Sequence, residues 1–517
     1  MLHRAVSLAW RRPFSTFSPP HGIFDVLVVG GGVVGAALAA RLLSHPHLSA
    51  LTVAVVESRA PAAAPLPQSL PDMRAYALSP ASVALLSDAG AWSRVVESGR
   101  ARNFTTMHVC EAMGPARLTW GSEGGAALGT MVEHGVLAAA LWARLAELCG
   151  APDARARLFV GAAAGPGAPP PLTLTALALP PEPRAAAPDA EARCSLAQAT
   201  LSDGTQLRAR LIVGADGAAS STRVLAGGGT WGCDYTDQVA LVGTVRLLSG
   251  GRGGTSSTSE GATAYQRFLP EGPLAILPLF GDFANVVWST SPARAAALRA
   301  ATPTEFLAEL NAALSEPPPS ASAPSSPSLD VSPFGIIAHV ASAAAVAVRS
   351  AARSPPPPSP PVAIEAVGPR ASLPLRLAHA DALVRPRVAL VGDAAHSVHP
   401  LAGQGLNLGL ADAVALVDAI VVGSAVGADA GAPRTLAAYA RARAGANLRA
   451  GAAIDAIKRV FAGSPDAALG AVLGARAPSD AWDAGGVVSA LRDLGMAAID
   501  TTPLIKRALA AHAQGQA

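Results

Sequence analysis

The stretch Asp25-Val-Leu-Val-Val-Gly30-Gly-Gly32-Val-Val-Gly35 decides the fold. An apolar run ends in three glycines and Ala36 to Leu43 continues with strong helix formers, which reads as strand, tight turn and helix. Val53 to Val56 is a second apolar run, closed by Glu57. Strand, helix and strand within about 35 residues is the size of one βαβ unit. Gly30, Gly32 and Gly35 satisfy G-x-G-x-x-G. The first permits the turn, the second lets a pyrophosphate approach the backbone, and the third lets helix and strand pack closely, while the helix N-terminus attracts phosphate. Glu57, at the end of the next strand, can accept hydrogen bonds from both ribose hydroxyls of an adenosine. The stretch predicts a dinucleotide-binding unit.

Outward from that unit, the chain of 517 residues is about three times a common domain length and can bury a large core. Half the residues are apolar and 15% are charged, a globular balance. A net charge of +3 argues against a nucleic-acid groove, which needs clustered Lys and Arg. Cys110, Cys149, Cys194 and Cys233 form no CxxC pair, so a zinc site or disulfide framework is not expected. Mean hydropathy is +0.35, but charge or proline interrupts every run of 18 residues, so no bilayer-spanning helix is expected. Neither a GxSxG elbow nor a P-loop occurs, which removes serine hydrolase and NTPase readings.

The first 24 residues carry Arg4, Arg11 and Arg12, several Ser and Thr, and no acidic residue, the composition of a mitochondrial or plastid transit peptide, assigned to residues 1–20. Residues 163–193, 316–329 and 354–361 are Pro-rich with Ala or Ser, and they read as solvated, disordered insertions. Leu207 to Val213 and Tyr265 to Leu279 read as strands, 402–461 and 484–512 as helices. In the last of these Val488, Leu491, Leu494 and Met496 interleave with Arg492, Lys506 and Arg507, an amphipathic surface for a membrane or another subunit, or for the protein's own core.

Two later segments choose the dinucleotide. Leu211-Ile-Val-Gly-Ala-Asp216-Gly217 and Arg387-Val-Ala-Leu-Val-Gly392-Asp393 are apolar strands ending in a Gly/Asp corner. Asp393 is placed to bond a sugar-like hydroxyl such as a flavin ribityl chain, or else to cap a helix. Pro400-Leu-Ala-Gly403-Gln404-Gly405-Leu-Asn407 then opens a helix whose free N–H groups could face the flavin pyrimidine edge. His396 and His399, at i, i+3 with no third ligand, are read as structural and not as a metal site.

These motifs, in this order, resemble the aromatic-ring flavin monooxygenases of the para-hydroxybenzoate hydroxylase fold. Asp72-Met-Arg74-Ala-Tyr-Ala-Leu-Ser79 and the run Gly392 to Gly409 are similar to the ubiquinone-biosynthesis hydroxylases. Tyr265 to Pro278, Asn285-Val-Val-Trp-Ser-Thr290 and Arg370-Ala-Ser-Leu-Pro-Leu375 resemble the mitochondrial branch that hydroxylates ring position C5. The resemblance spans about residues 22 to 512.

The resemblance implies an α/β (α+β) chain: a Rossmann-type FAD-binding domain over 22–235 and 381–430, an inserted, mainly β substrate domain over 236–380, and a helical region over 431–517. It puts Gly30, Gly32, Gly35 and Glu57 on the adenosine diphosphate half of FAD, and Asp393 with Gly392 on the ribityl chain. Pro400, Gly403, Gln404, Gly405 and Asn407 fall beside the isoalloxazine, Asp216 and Gly217 near the pyrophosphate, and Arg74 near the flavin. The chemistry implied is the cofactor's, a C4a-hydroperoxide transferring oxygen ortho to the hydroxyl of a 3-polyprenyl-4-hydroxybenzoate with O2 as co-substrate; no catalytic base is identified. With one GxGxxG and no second nucleotide domain, electrons come from outside, through ferredoxin and its reductase by the resemblance. It also implies other subunits of a ubiquinone-biosynthesis complex and a peripheral site on the matrix side of the mitochondrial inner membrane. Open alternatives are hydroxylation at another ring carbon, a non-catalytic flavin-binding subunit, and a flavin reductase or dehydrogenase.

Overall fold

The computed structural model describes residues 19, 22–59, 70–112, 117–121, 125–151, 153–163, 167–181, 196–248, 262–315, 360–400 and 403–461. The transit-peptide segment apart from Pro19, the 316–329 insertion, most of 354–361 and the amphipathic 484–512 segment lie outside these residues.

Two sheets carry the fold. In the first, the strand Ile23–Val29 lies between Gln206–Gly214 and Val53–Glu57, both parallel to it, with Val388–Leu390 and Ala156–Val160 added outside them, also in parallel. The central strands are near-continuous Val, Leu and Ile because both faces are covered. The helices Val33–Ser44, His134–Gly150 and Gln404–Ala425 contribute Leu38, Leu42, Leu141, Trp142, Leu410 and Leu416 to the core on one face. On the other face Phe24, Leu27, Ile212 and Val388 pack with Leu174, Leu201 and Leu207.

The second sheet has ten strands and wraps a separate core of Leu241, Val286, Trp288, Phe306 and Leu310 beneath the helices Pro292–Ala300 and Pro303–Ser315. Strands 363–380, 230–247, 283–290, 272–278, 262–269, 102–111, 129–133 and 75–78 follow one another across it.

The expected domain boundaries do not follow the sheets. Residues 75–133 sit inside the expected 22–235 unit, yet their strands belong to the second sheet. The strand Thr230–Leu247 runs unbroken across the expected 235/236 boundary, and His396–Ser397, inside the expected 381–430 part, pairs with Ala378 and His379 of the second sheet. The chain crosses between sheets repeatedly without a polar linker, so composition carries no mark of the crossings. The 163–193 segment is also not wholly an insertion. Between Pro171 and Pro180, Leu172 to Leu179 approaches strand alternation, and Leu174–Ala178 pairs antiparallel with Ala197–Leu201.

Among the described residues one helix, Gln404–Ala425, is long and apolar enough to cross a membrane by length and composition. About half of its apolar window is buried on the protein, and it packs against Val33–Ser44 and the helix Pro433–Phe461.

A candidate flavin site at the strand ends

Register brings the sequence motifs together. Val29 lies opposite Val56 on one side and Gly214 on the other, and Gly214 lies opposite Leu390. Four parallel strands therefore end level, and Gly30, Glu57, Ala215-Asp216 and Gly392-Asp393 leave from their carboxyl ends. In open α/β sheets that edge, where the strand order reverses, is where ligands bind.

The Gly-rich turn is built by contact. Gly30 has φ +100°, and a Cβ there would stand 2.4 Å from the Ala215 carbonyl oxygen. A Cβ on Gly35 would stand 2.0 Å from the Gly30 carbonyl oxygen. Gly32 differs from both, because a Cβ there meets nothing within 4 Å. Its open side is the place the sequence reading reserves for a pyrophosphate, at the start of a helix with no side-chain cap. Trp142, which the sequence reading missed, closes the other side: its indole N–H donates to Gly31 O at 2.9 Å, and its ring fills the space a Gly31 side chain would need.

Glu57 is preorganised by the same turn. Its Oε2 accepts from Gly31 N at 2.6 Å, and its Oε1 accepts from the Ser58 hydroxyl at 2.9 Å. Oε1 also accepts from Arg59 N at 3.3 Å, so Oε2 is the oxygen that keeps a lone pair for a ribose hydroxyl.

Asp216 is engaged within its own loop. Its carboxylate accepts from the Ser220 hydroxyl at 2.5 Å and from Thr222 N and Oγ1 at 2.9 and 3.0 Å, folding the loop into the short helix Ser221–Leu225. Beside it Gly217 has φ +81° and open space on its Cβ side.

Asp393 is exposed, yet the protein around it raises its carboxyl above the usual range, with His396 acting in the opposite sense. That combination describes a carboxylate on the floor of a cleft. Gly392 has φ +61°, and a Cβ on Gly409 would come within 3.0 Å of the Gly392 Cα, so the corner packs directly on the Gln404–Ala425 helix. Gly403, left-handed at φ +61°, forms the start of that helix without a side-chain cap, Gly403 N bonds Pro400 O at 3.0 Å, and Gln404 and Gly405 lie in its half-buried first turn.

Asn407 is buried as an anchor. Its Oδ1 accepts from Ser79 N at 2.9 Å and the Ser82 hydroxyl at 2.8 Å, and its Nδ2 donates to Ala77 O at 2.9 Å. It thereby pins the strand Ala75–Leu78 to the cofactor helix. Arg74, just before that strand, is exposed; burial pushes the Tyr76 phenol up to about 12, with Arg74 opposing the rise and Asp393 adding to it. The loop beneath Arg74 is clamped: Asn285 Nδ2 donates to Met73 O at 2.8 Å, and Asp72 N donates to Glu133 Oε1 at 2.5 Å. Glu133 is itself held by Arg100 at 2.7 and 2.8 Å, a buried pair no spacing announces. Tyr76 OH lies 2.9 Å from His134 Nδ1, a pair also absent from the sequence reading.

His396 Nε2 meets Asp412 Oδ2 at 2.6 Å, and His399 is buried without a hydrogen-bond partner among the described residues. Among those residues no group of three or more His, Cys, Asp or Glu is placed to hold a metal.

The free atoms of this edge suit FAD. The open face of Gly32, the spare lone pair on Glu57 Oε2, the accessible Asp393 carboxylate and the uncapped helix at Gly403 lie along the strand ends.

Residues 24–322 and 362–450 match the family model described as FAD binding domain. The chain is 32% identical over 462 residues to the mitochondrial ubiquinone biosynthesis monooxygenase COQ6 of Xenopus tropicalis, covering 89% of this chain and 90% of that protein. The chain belongs to the FAD-dependent monooxygenases of ubiquinone biosynthesis. Another member of this monooxygenase family, the 3-demethoxyubiquinol 3-hydroxylase of Escherichia coli, is 31% identical over 405 residues, with 77% of this chain and 79% of that protein covered. The fold is similar to that of PqsL, a probable FAD-dependent monooxygenase from Pseudomonas aeruginosa, with TM-score 0.58 at 23% identity, over 85% of this chain and 96% of that one. The Xenopus relative and its human counterpart, 31% identical over 463 residues, are mitochondrial by name, which assigns this chain to the mitochondrion.

Proposed function

We propose that this monooxygenase hydroxylates ring position C5 of a 3-polyprenyl-4-hydroxybenzoate, with electrons supplied by ferredoxin and its reductase. It would work beside other subunits of a biosynthetic complex on the matrix face of the inner membrane. The observation that supports the reading is the level ending of four parallel strands, so that the turns after Val29, Val56, Gly214 and Leu390 leave from one edge of the sheet.

In this reading Gly30, Gly32, Gly35 and Glu57 hold the adenosine diphosphate half of FAD, with Asp216 and Gly217 closing the loop beside the pyrophosphate. Asp393 holds the ribityl chain, and Pro400, Gly403, Gln404 and Gly405 border the ring system, with Arg74 near it. When bound, FAD supplies the activated oxygen, and no protein side chain needs to. The chain's own work is to fix the cofactor and exclude water. Asn407 and Glu133 do this indirectly by locking the 72–79 segment.

The test is turnover under 18O2 with FAD, a ferredoxin reducing system and 3-prenyl-4-hydroxybenzoate, reading product mass and ring position. Label at C5 supports the reading. Label at another carbon selects the second reading, which the similarity to a 3-demethoxyubiquinol 3-hydroxylase favours. Flavin reoxidation with an unlabelled ring defeats both and leaves an assembly subunit or a reductase.

A further inference from the structure

Asp412 lies outside every cofactor motif, yet it is the most heavily bonded carboxylate beside them. It is completely buried on a helix whose other buried side chains are Leu, Val, Ile and Ala apart from Asn407. Its Oδ2 accepts from Gly392 N at 3.0 Å and His396 Nε2 at 2.6 Å. Its Oδ1 accepts from Arg443 Nε at 2.7 Å and Asn447 Nδ2 at 3.0 Å. An ionised carboxylate has about four acceptor positions, and here all are used. Burial alone would raise this carboxyl, but His396 and Arg443 outweigh it and hold it below the usual range.

The two oxygens face different parts of the protein. Oδ1 binds the helix Pro433–Phe461. Oδ2 binds the Gly392 amide at the flavin corner, and also the ring of His396, whose backbone pairs with His379 of the second sheet. Because a carboxylate only accepts, Nε2 of His396 carries the proton, and its buried Nδ1 has no partner among the described residues. His396 is also close enough to Asp393 to draw that carboxyl downward.

We propose that Asp412, propped by His396, is a positioning residue for flavin binding: it fixes the Gly392 amide and so the direction in which Asp393 presents its carboxylate to the cofactor. Supports of this kind behind a binding group set its orientation, and losing one costs affinity without removing a contact. A purely structural role predicts something else, namely that flavin affinity falls only as far as the whole fold is weakened.

The experiment uses the full chain, prepared without flavin and titrated with FAD by fluorescence, with the midpoint potential of bound flavin and the thermal midpoint of the flavin-free protein measured alongside. Asp412→Asn leaves Arg443 uncompensated and can fail to fold. His396→Leu therefore carries the decision, because it removes one donor from Oδ2 and leaves the Arg443 pair intact. His396→Gln retains a side-chain N–H, and Trp288→Phe damages the second core far from the corner. The expected result is FAD binding weakened about tenfold or more in His396→Leu, with a shifted potential and substantial recovery in His396→Gln, while Trp288→Phe lowers the thermal midpoint without moving affinity. Unchanged FAD affinity and potential in His396→Leu overturns the proposal. So does affinity that tracks the thermal midpoint across all variants.

Discussion

The two ends of the cofactor edge are built by different rules. At the Gly30–Glu57 end the contacts among the motif residues stay within one βαβ unit, Gly35 packing on Gly30 O and Glu57 reaching Gly31 N across 26 residues, and Ala215 and Trp142 close the turn from outside it. At the Gly392–Asn407 end they are remote: Asn407 binds Ser79 across 328 residues, and Asp412 joins the flavin corner to a helix that follows it. The first end is specified by a short word in the sequence. The second is specified by the assembled fold, so damage to the two should look different.

The largest effect is expected at the local end. Gly35→Ala places a Cβ 2.0 Å from backbone that cannot move without opening the turn, so the purified protein should retain no flavin. Gly32→Ala is the sharpening partner. Its Cβ meets no protein atom, so the thermal midpoint of the flavin-free protein should stay put while FAD binding weakens about tenfold or more, as expected where backbone must approach a pyrophosphate. Flavin per chain and FAD titration read both. Stoichiometric FAD in Gly35→Ala would break the local rule.

At the remote end, His399 makes stability depend on pH. Burial first and Lys458 second lower its pKa from 6.5 to about 4. Between those values the unfolded chain binds a proton there and the folded protein does not, so stability falls as pH drops through the window and is fully present above it. Two and a half units correspond to about 3 kcal/mol as an order of magnitude. Denaturant unfolding from pH 7.5 to 4 should show the loss, and His399→Phe should flatten it. An unchanged slope in that variant would move the effect to another group.

The same contrast explains what could be read from the sequence. Gly30, Gly32, Gly35 and Glu57 were legible because strand, turn and acid follow each other at fixed spacing. Gly392, Asp393 and Gly403 were legible as turn residues, two of them with φ near +61°. Asn407 was found, but its anchoring role depends on Ser79, Ser82 and Ala77, which no periodicity connects to it. Asp412 left one trace, a carboxylate on the apolar face of a helix. Trp142, Glu133 and Tyr76 left none, since what matters is the group each meets across the fold. That the strands between 75 and 133 join the second sheet is illegible for the same reason, because strand partners are a tertiary property.

Asn407→Ala tests the anchor. It deprives Ser79 N and the Ser82 hydroxyl of their acceptor and Ala77 O of its donor in a buried place, an expected loss of about 2–3 kcal/mol in denaturant unfolding. Weaker FAD binding should accompany it, because the 72–79 segment loosens. A loss below about 0.5 kcal/mol would show that the helix and strand hold each other without it.

The smallest effect is expected from Tyr76→Phe, which removes one half-buried bond to His134 and should cost about 1 kcal/mol at pH 7. The variant tests whether the hydroxyl adds to the causes acting on His134, whose pKa is lowered by burial first and by Arg74 second. Lowering means the folded protein resists protonation there, so stability declines as pH falls below about 6.5. Neither cause is removed with the Tyr76 hydroxyl. The stability of Tyr76→Phe should therefore run below the wild type by a constant amount from pH 7.5 to 5, with the same slope. Curves that converge at low pH would show that the hydroxyl itself keeps the ring unprotonated. Control of His134 would then pass from the surrounding fold to a single neighbour, which is the kind of rule that governs the other end of the edge.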